Sequence, residues 1–174
     1  MKVYVTIMPE KNHETSPINF VSPNASIGNN VKIWHFAYVG NDTIIGNNVM
    51  IGSLTHVDYG VKIGNNCRIE GSVYIPPLTE IGNNVFIGPG TTFTNDPYPM
   101  SKKMVGVIVE DGAIIGGRSV IKPGVTIGRN SVIAMASVVT KDVPPNVVVM
   151  GHPAQIKYDR SQYDQKKINW ESMN

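Results

Sequence analysis

The stretch "IGNNVKIWHFAYVGNDTIIGNNVMIGS", residues 27–53, contains the tetrad IGNN twice, eighteen residues apart, and the tetrad returns at Ile63 and again at Ile81. A shorter interval lies underneath. Steps of six from Val21 meet Ile27, Ile33, Val39, Ile45 and Ile51 and continue through Ile87 to Phe93. Steps of six from Val109 meet Ile115, Ile121, Ile127, Ile133 and Val139. All of these are apolar, in a chain that is only 41% hydrophobic. Four places after each, the residue is small, as at Ala25, Val31, Ala37, Thr43, Cys67 and Ser119; Pro97 alone departs. A period of six is neither the 3.6 of a helix nor the two of a plain strand. A short strand followed by a corner accounts for it.

β-Branched aliphatics suit a pleated surface. The third and fourth places of the hexads (Asn29-Asn30, Asn41-Asp42, Asn47-Asn48, Asn65-Asn66, Asn83-Asn84, Pro89-Gly90) hold residue types that tolerate a left-handed backbone at a turn. With three hexads per turn, the IGNN corners stack about 4.8 Å apart. The expected fold is all-β: a triangular parallel β-helix of about six coils, roughly 30 Å tall. It spans residues 21–144, after an irregular arm or capping strand over 1–20. The extension over 145–174 ends either in a short helix or in a loose tail. Cys67 falls at an inward packing place, and the IGNN corners are scaffold.

At 174 residues the chain reads as one domain. Its net charge of +2 gives no field for nucleic acid. A single cysteine excludes an internal disulfide framework. The opening "MKVYVTIMPEKNHETS" lacks the apolar core of a signal peptide, and no apolar run reaches membrane-spanning length, so the cytoplasm is the expected compartment.

The hexad rhythm breaks once. Phe93 and Val109 are sixteen apart, which places a ten-residue extruded loop at about 99–108, "PMSKKMVGVI", starting from the "FTNDPYP" corner. Loops held by a rigid scaffold are where binding residues concentrate.

The aliphatic, Gly, two variable, small, variable pattern over 21–144 resembles the left-handed β-helix of the hexapeptide-repeat acyltransferases; the handedness is implied by that resemblance, not by the period. "SVVTKDVPPNVVVMGHPAQI" is similar to the C-terminal signature of the acetyl-CoA-dependent branch. "KIWHF" and "GPGTTFTND" resemble the branch that N-acetylates nucleotide-linked amino sugars. The resemblance implies acetyl-CoA as donor, a nucleotide-linked amino sugar as acceptor, no metal, and a role in surface polysaccharide or glycoprotein assembly. It also implies a cyclic trimer with sites between subunits. An outward apolar stripe of Met50, Phe86, Ile114 and Val132 reads as its interface.

Sugar O-acetylators of this fold carry a His at the mouth of the loop, because a hydroxyl needs a general base. The matching places here, Asn95 to Tyr98, hold none. An amine is partly neutral at pH 7 and attacks a thioester directly, and the departing thiolate, of parent pKa near 8.5, takes the proton. Placement and oxyanion stabilisation are then the protein's task. The resemblance puts Asn95 in the active site. Asp96 beside it could hold an ammonium or a sugar hydroxyl, or simply complete a turn with Asn95 and Pro97. His56 and Asp58 point outward from one strand, in a column that runs through Tyr74 and Pro76 to Thr92 and Thr94. Two coils are about 10 Å, so His56 is within reach of a substrate at Asn95; a solvated or subunit-facing histidine is the alternative. His35, from the family's "WHF", contacts either substrate or a neighbouring subunit, and Tyr98 stands at the loop mouth. His13 and His152 are given no role.

For coenzyme A the resemblance implies backbone groups at the third place of late hexads together with the "TKD" residues: Gly117, Met135, Thr140 and Lys141. Gly117 and Met135 are eighteen apart and so stacked, which suits an extended pantetheine arm. Lys141 and Lys157 are candidate phosphate contacts. Relatives often carry an Arg where Met100 stands, a contact that Lys102 or Lys103 could replace. Three rivals remain: a sugar O-acetyltransferase with His56 as base, a zinc hydratase of the γ-carbonic-anhydrase type, and a non-catalytic scaffold. The second needs three converging histidines, and the four here are widely spaced.

Overall fold

The computed structural model of the chain describes residues 13–16 and 18–173. The chain winds through three sheets. Face A holds nine strands, from His13–Thr15 to Ala154–Asp159; face B holds seven, from Phe20–Val21 to Val138–Val139; face C holds six, from Ser26–Ile27 to Thr126–Ile127. Within the coils pairing is parallel and in the register the period predicts: His13 faces Val31, Tyr38 faces His56 and Ser26 faces Ile44. The result is a parallel β-solenoid of three faces.

Seven strands on face B make about seven turns, one more than the hexads indicate. The difference lies at the ends. His13–Thr15, inside the expected arm, and Val147–Gly151, inside the expected extension, both join face A in parallel without carrying the aliphatic-Gly pattern. The first twelve residues of the expected arm lie outside the described residues.

The hexad aliphatics form the core, and Ile51, Ile69, Ile87, Ile115 and Ile133 are fully buried along one line. The small residues four places later turn inward at the corners, where their hydroxyls donate to a carbonyl of the next coil. Thr43 Oγ1 reaches Asp58 O at 2.8 Å and Thr55 Oγ1 reaches Glu70 O at 2.9 Å. Cys67 occupies such a place, with Sγ 3.1 Å from Gly82 O, and burial pushes its thiol above the ordinary range. Among the described residues, Thr79 and Ser131 are the buried corner hydroxyls without a partner. Each sits one coil before a break in the winding, at Thr94 and at Pro144-Pro145.

The IGNN corners are held by two amide ladders. The first Asn of each pair accepts from the backbone of the preceding coil: Asn47 Oδ1 from the Asn29 N–H, Asn65 Oδ1 from the Asn47 N–H and Asn83 Oδ1 from the Asn65 N–H, each at 2.8 Å. The second Asn takes the left-handed conformation (φ of 55 to 57° at Asn30, Asn48, Asn66 and Asn84) and links side chain to side chain, as Asn30 Nδ2 to Asn48 Oδ1 at 2.9 Å. Asn tolerates this φ better than most residues. Asp111 takes over the first ladder, accepting the Asn83 N–H at 2.7 Å.

The chain leaves the prism after Thr94 and returns at Gly106. The Val105 N–H donates to Asn95 O at 2.8 Å across the neck. Val107 is already fully buried, with its carbonyl accepting from Glu80 N at 2.9 Å. The loop therefore spans about 95–105, earlier than the 99–108 inferred from spacing, because a surplus of ten residues fixes an insertion's length and not its starting point. On face A, Arg68 separates Met50 from Phe86, and Val132 is buried within the chain, so the expected apolar stripe is discontinuous.

After Gly151 the strand Ala154–Asp159 turns back antiparallel on Val147–Gly151 and leads into the helix Arg160–Glu171, which decides the tail in favour of a helix. Arg160 pins it to the prism, donating to Asn130 O at 2.8 Å and pairing with Asp164 at 2.8 Å, although no helix residue is buried. Among the described residues no helix is long and apolar enough to cross a membrane.

Candidate active site

The candidate residues other than Lys157 lie on face B, at its two bounding corners and on the loop that leaves one of them. Its outward column runs Phe20, Tyr38, His56, Tyr74, Thr92, Val120, Val138, each paired with the next. Two residues on from His56, Tyr74 and Thr92, Asp58, Pro76 and Thr94 lead to the corner from which the loop departs.

His56 lies in a stack of rings. Its centroid is 4.4 Å from Tyr38 and 5.6 Å from Tyr74, and Tyr38 lies 4.9 Å from Phe20. Steps of eighteen from Phe20 meet Tyr38, His56 and Tyr74, so the ladder is legible in the sequence. Asp58 Oδ2 lies 3.9 Å from His56 Nε2 and receives a long hydrogen bond of 3.5 Å from the Tyr74 hydroxyl. Burial first, and then the Asp58 carboxylate, push the Tyr74 phenol above its usual range.

Asn95 forms the loop's neck, with its carbonyl holding Val105 and its Nδ2 lying 3.4 Å from Met104 Sδ. Asp96 is committed to the loop's own backbone: its two carboxylate oxygens accept the N–H groups of Tyr98 and Ser101, each at 2.9 Å. These bonds make Asp96 the centre of a turn at the start of the loop. Tyr98 and Met100 project at the tip, 82% and 99% exposed. Gly106 closes the loop in a place where no side chain fits, since a Cβ there would run into the Leu78 carbonyl.

Gly117 and Met135 are consecutive rungs of the corner between faces A and B, joined by the Ala136 N–H donating to Gly117 O at 2.9 Å. At the IGNN corners an asparagine oxygen caps the corresponding N–H. Here the column holds Ser53, Gly71, Pro89, Gly117 and Met135, and no such cap is present. Thr140 and Lys141 lie at the far end of the last face-B strand, Val138–Val139, so all four bracket one stretch of face B. His35 is exposed at the Gly117 corner, near Trp34, in the first coils. Lys157 stands apart, exposed on the antiparallel strand at the edge of face A. Among the described residues no three His, Cys, Asp or Glu side chains converge as a metal site.

The model of the family described as "Bacterial transferase hexapeptide (six repeats)" matches residues 24–59 and 60–95, and that described as "Hexapeptide repeat of succinyl-transferase" matches 42–77 and 106–141. The chain is 39% identical over 80 residues to galactoside O-acetyltransferase of Escherichia coli, covering 41% of this chain and 39% of that protein. It is 46% identical over 72 residues to 2,3,4,5-tetrahydropyridine-2,6-dicarboxylate N-acetyltransferase of Clostridium perfringens, covering 41% and 30%. Among solved structures, PerB from Caulobacter crescentus, in complex with CoA and GDP-perosamine, superposes with a TM-score of 0.55 at 26% identity, covering 84% of this chain and 57% of that one. The chain thus spans less than half the length of these curated relatives.

Proposed function

Because the chain belongs to the hexapeptide-repeat transferase family, we propose that it is an acetyl-CoA-dependent N-acetyltransferase acting on the amino group of a nucleotide-linked amino sugar. The observation that carries this reading is the shared placement of the loop neck at Asn95 and the uncapped Gly117–Met135 corner along face B, with no histidine at the loop mouth. The pantetheine arm lies along the uncapped corner and brings its thioester toward Asn95. The amine lone pair attacks the thioester carbonyl, and collapse of the tetrahedral adduct breaks the C–S bond. The thiolate then leaves with the proton that the new amide gives up. Asn95 orients the reacting groups or the oxyanion; Asp96 acts as a positioning residue by shaping the loop. The CoA-bound PerB structure supports the donor, and its GDP-perosamine supports the acceptor class. The same reading takes the assembly as a cyclic trimer with shared sites, working in the cytoplasm.

A second reading is favoured by the closeness of His56 to Asp58 and by the galactoside O-acetyltransferase relative: transfer to a sugar hydroxyl with His56 as general base. Acetyl-CoA incubated with a panel of nucleotide amino sugars and neutral sugars, followed by mass spectrometry, separates the two. The amine reading expects product only from amino sugars, a severe loss in Asn95→Ala and a modest one in His56→Ala. Acetylated neutral sugars, together with an inactive His56→Ala, would replace it with the second reading.

A further inference from the structure

The ring ladder on face B stops one rung short of the loop. Phe20, Tyr38, His56 and Tyr74 occupy four successive rungs, with adjacent centroids 4.4 to 5.6 Å apart. These spacings lie near or within the range of offset aromatic pairs. The fifth rung, directly above Tyr74 in the register, is Thr92, and the sixth is Val120. Neither carries a ring. The lower rings are nearly parallel, at 13° and 17°, whereas Tyr74 is tilted 50° from His56. A terminal ring with no neighbour on its far side has that freedom. Tyr74 is 38% exposed although it abuts the stack, and Thr94, two residues beyond Thr92, is the last residue before the loop neck.

We propose that the rung over Thr92 is a binding notch for a planar heteroaromatic ring, which lies on Tyr74 as the fifth ring of the ladder, beside the root of the loop. The floor is made by Thr92 and the 39% exposed Val120, and the Asp58 carboxylate near the Tyr74 hydroxyl supplies a polar edge. Stacking of this kind selects a π-face and is tolerant of which base supplies it. A nucleobase has this chemistry and enters from one of two molecules, the acceptor nucleotide or the adenine of coenzyme A. The choice between those two rests on the transferase reading; the notch itself does not.

The test fills the notch from the protein side. Thr92→Phe supplies the missing ring, Tyr74→Leu removes the stacking face, and Thr92→Val keeps the shape without a ring. UDP, dTDP, GDP and coenzyme A are titrated separately by calorimetry into the full chain, with melting temperatures as the fold control. The expected result is that at least one nucleoside diphosphate binds the wild type and Thr92→Val alike, about tenfold or more weakly to Thr92→Phe and Tyr74→Leu, with coenzyme A unchanged. Loss of coenzyme A affinity instead, with the diphosphates unaffected, assigns the notch to the donor's adenine. If no ligand distinguishes folded Thr92→Phe from wild type, or none of the four binds the wild type, the notch is refuted. Wild type that binds nucleotides through the notch but never takes coenzyme A would sink the transferase reading alone.

Discussion

Replacing Asp96 by Asn tests whether the loop is held as its hydrogen bonds indicate. One carboxylate accepts two backbone N–H groups, from Tyr98 and Ser101, both at 2.9 Å. Hydrogen bonds to an ionised acceptor contribute about 1.5 to 3 kcal/mol each when well shielded. Asp96 is only half-buried, so a combined local contribution of about 2 kcal/mol is the reasonable figure. An amide keeps one acceptor oxygen and turns an NH2 group toward the second N–H, so at least one bond is lost and the other weakened. Losing most of that contribution, about 1.4 kcal/mol, should raise local opening of the loop about tenfold. The prism should be indifferent, because the Asn95–Val105 bond and the buried Val107 seal the neck below the substitution. Hydrogen exchange followed residue by residue is the assay. The Tyr98 and Ser101 amides should exchange tenfold faster or more, while core amides such as Ile69 and the melting temperature stay as in wild type. Unchanged exchange at both amides would refute the reasoning. An acceptor KM that rises without any change in exchange would instead make Asp96 a direct substrate contact.

Gly106→Ala should destabilise the fold by about 3 kcal/mol or eject the returning strand, since its Cβ meets the Leu78 carbonyl; chemical denaturation with urea measures it. Leu54 sits at φ 62° with its side chain 62% exposed, so Leu54→Gly should raise stability by up to about 1 kcal/mol, read as a higher urea midpoint. The Asp111 carboxyl is held below its usual 3.8, by the Asn83 N–H foremost and then by the Asn83 side chain and Arg129 against some burial cost. Its stabilising contribution is complete above that value and fades as pH falls through the lowered one, so Asp111→Asn should flatten the acid limb of the melting-temperature profile.

Much of the prism is legible because burial and backbone geometry act at every rung. The inward line from Ile27 to Phe93, the left-handed Asn corners and the inward Cys67 follow from a period that any slip would ruin. The paired strands His13–Thr15 and Val147–Gly151 are not legible in the same way, since the edges of a solenoid are covered by backbone pairing that makes little demand on side chains. The loop's exit at Thr94 escaped the spacing argument, although Gly106 marks its return through a close backbone approach. The roles of the site residues differ in the same sense. His56 and Tyr74 share a column that counting by eighteen finds. The engagement of both Asp96 oxygens depends on how a non-repeating segment folds on itself, and no periodicity encodes that.

The interruption itself offers the most direct test of the transferase account. Excising residues 96–105 joins Asn95 to Gly106 and brings Phe93 and Val109 to a six-residue spacing, with Val107 in the small inward place and Asn-Gly at the corner. The expected product is a shortened protein that melts no lower than the parent and still binds coenzyme A, yet transfers no acetyl group to any nucleotide amino sugar. Undiminished transfer from the loop-less prism would contradict it.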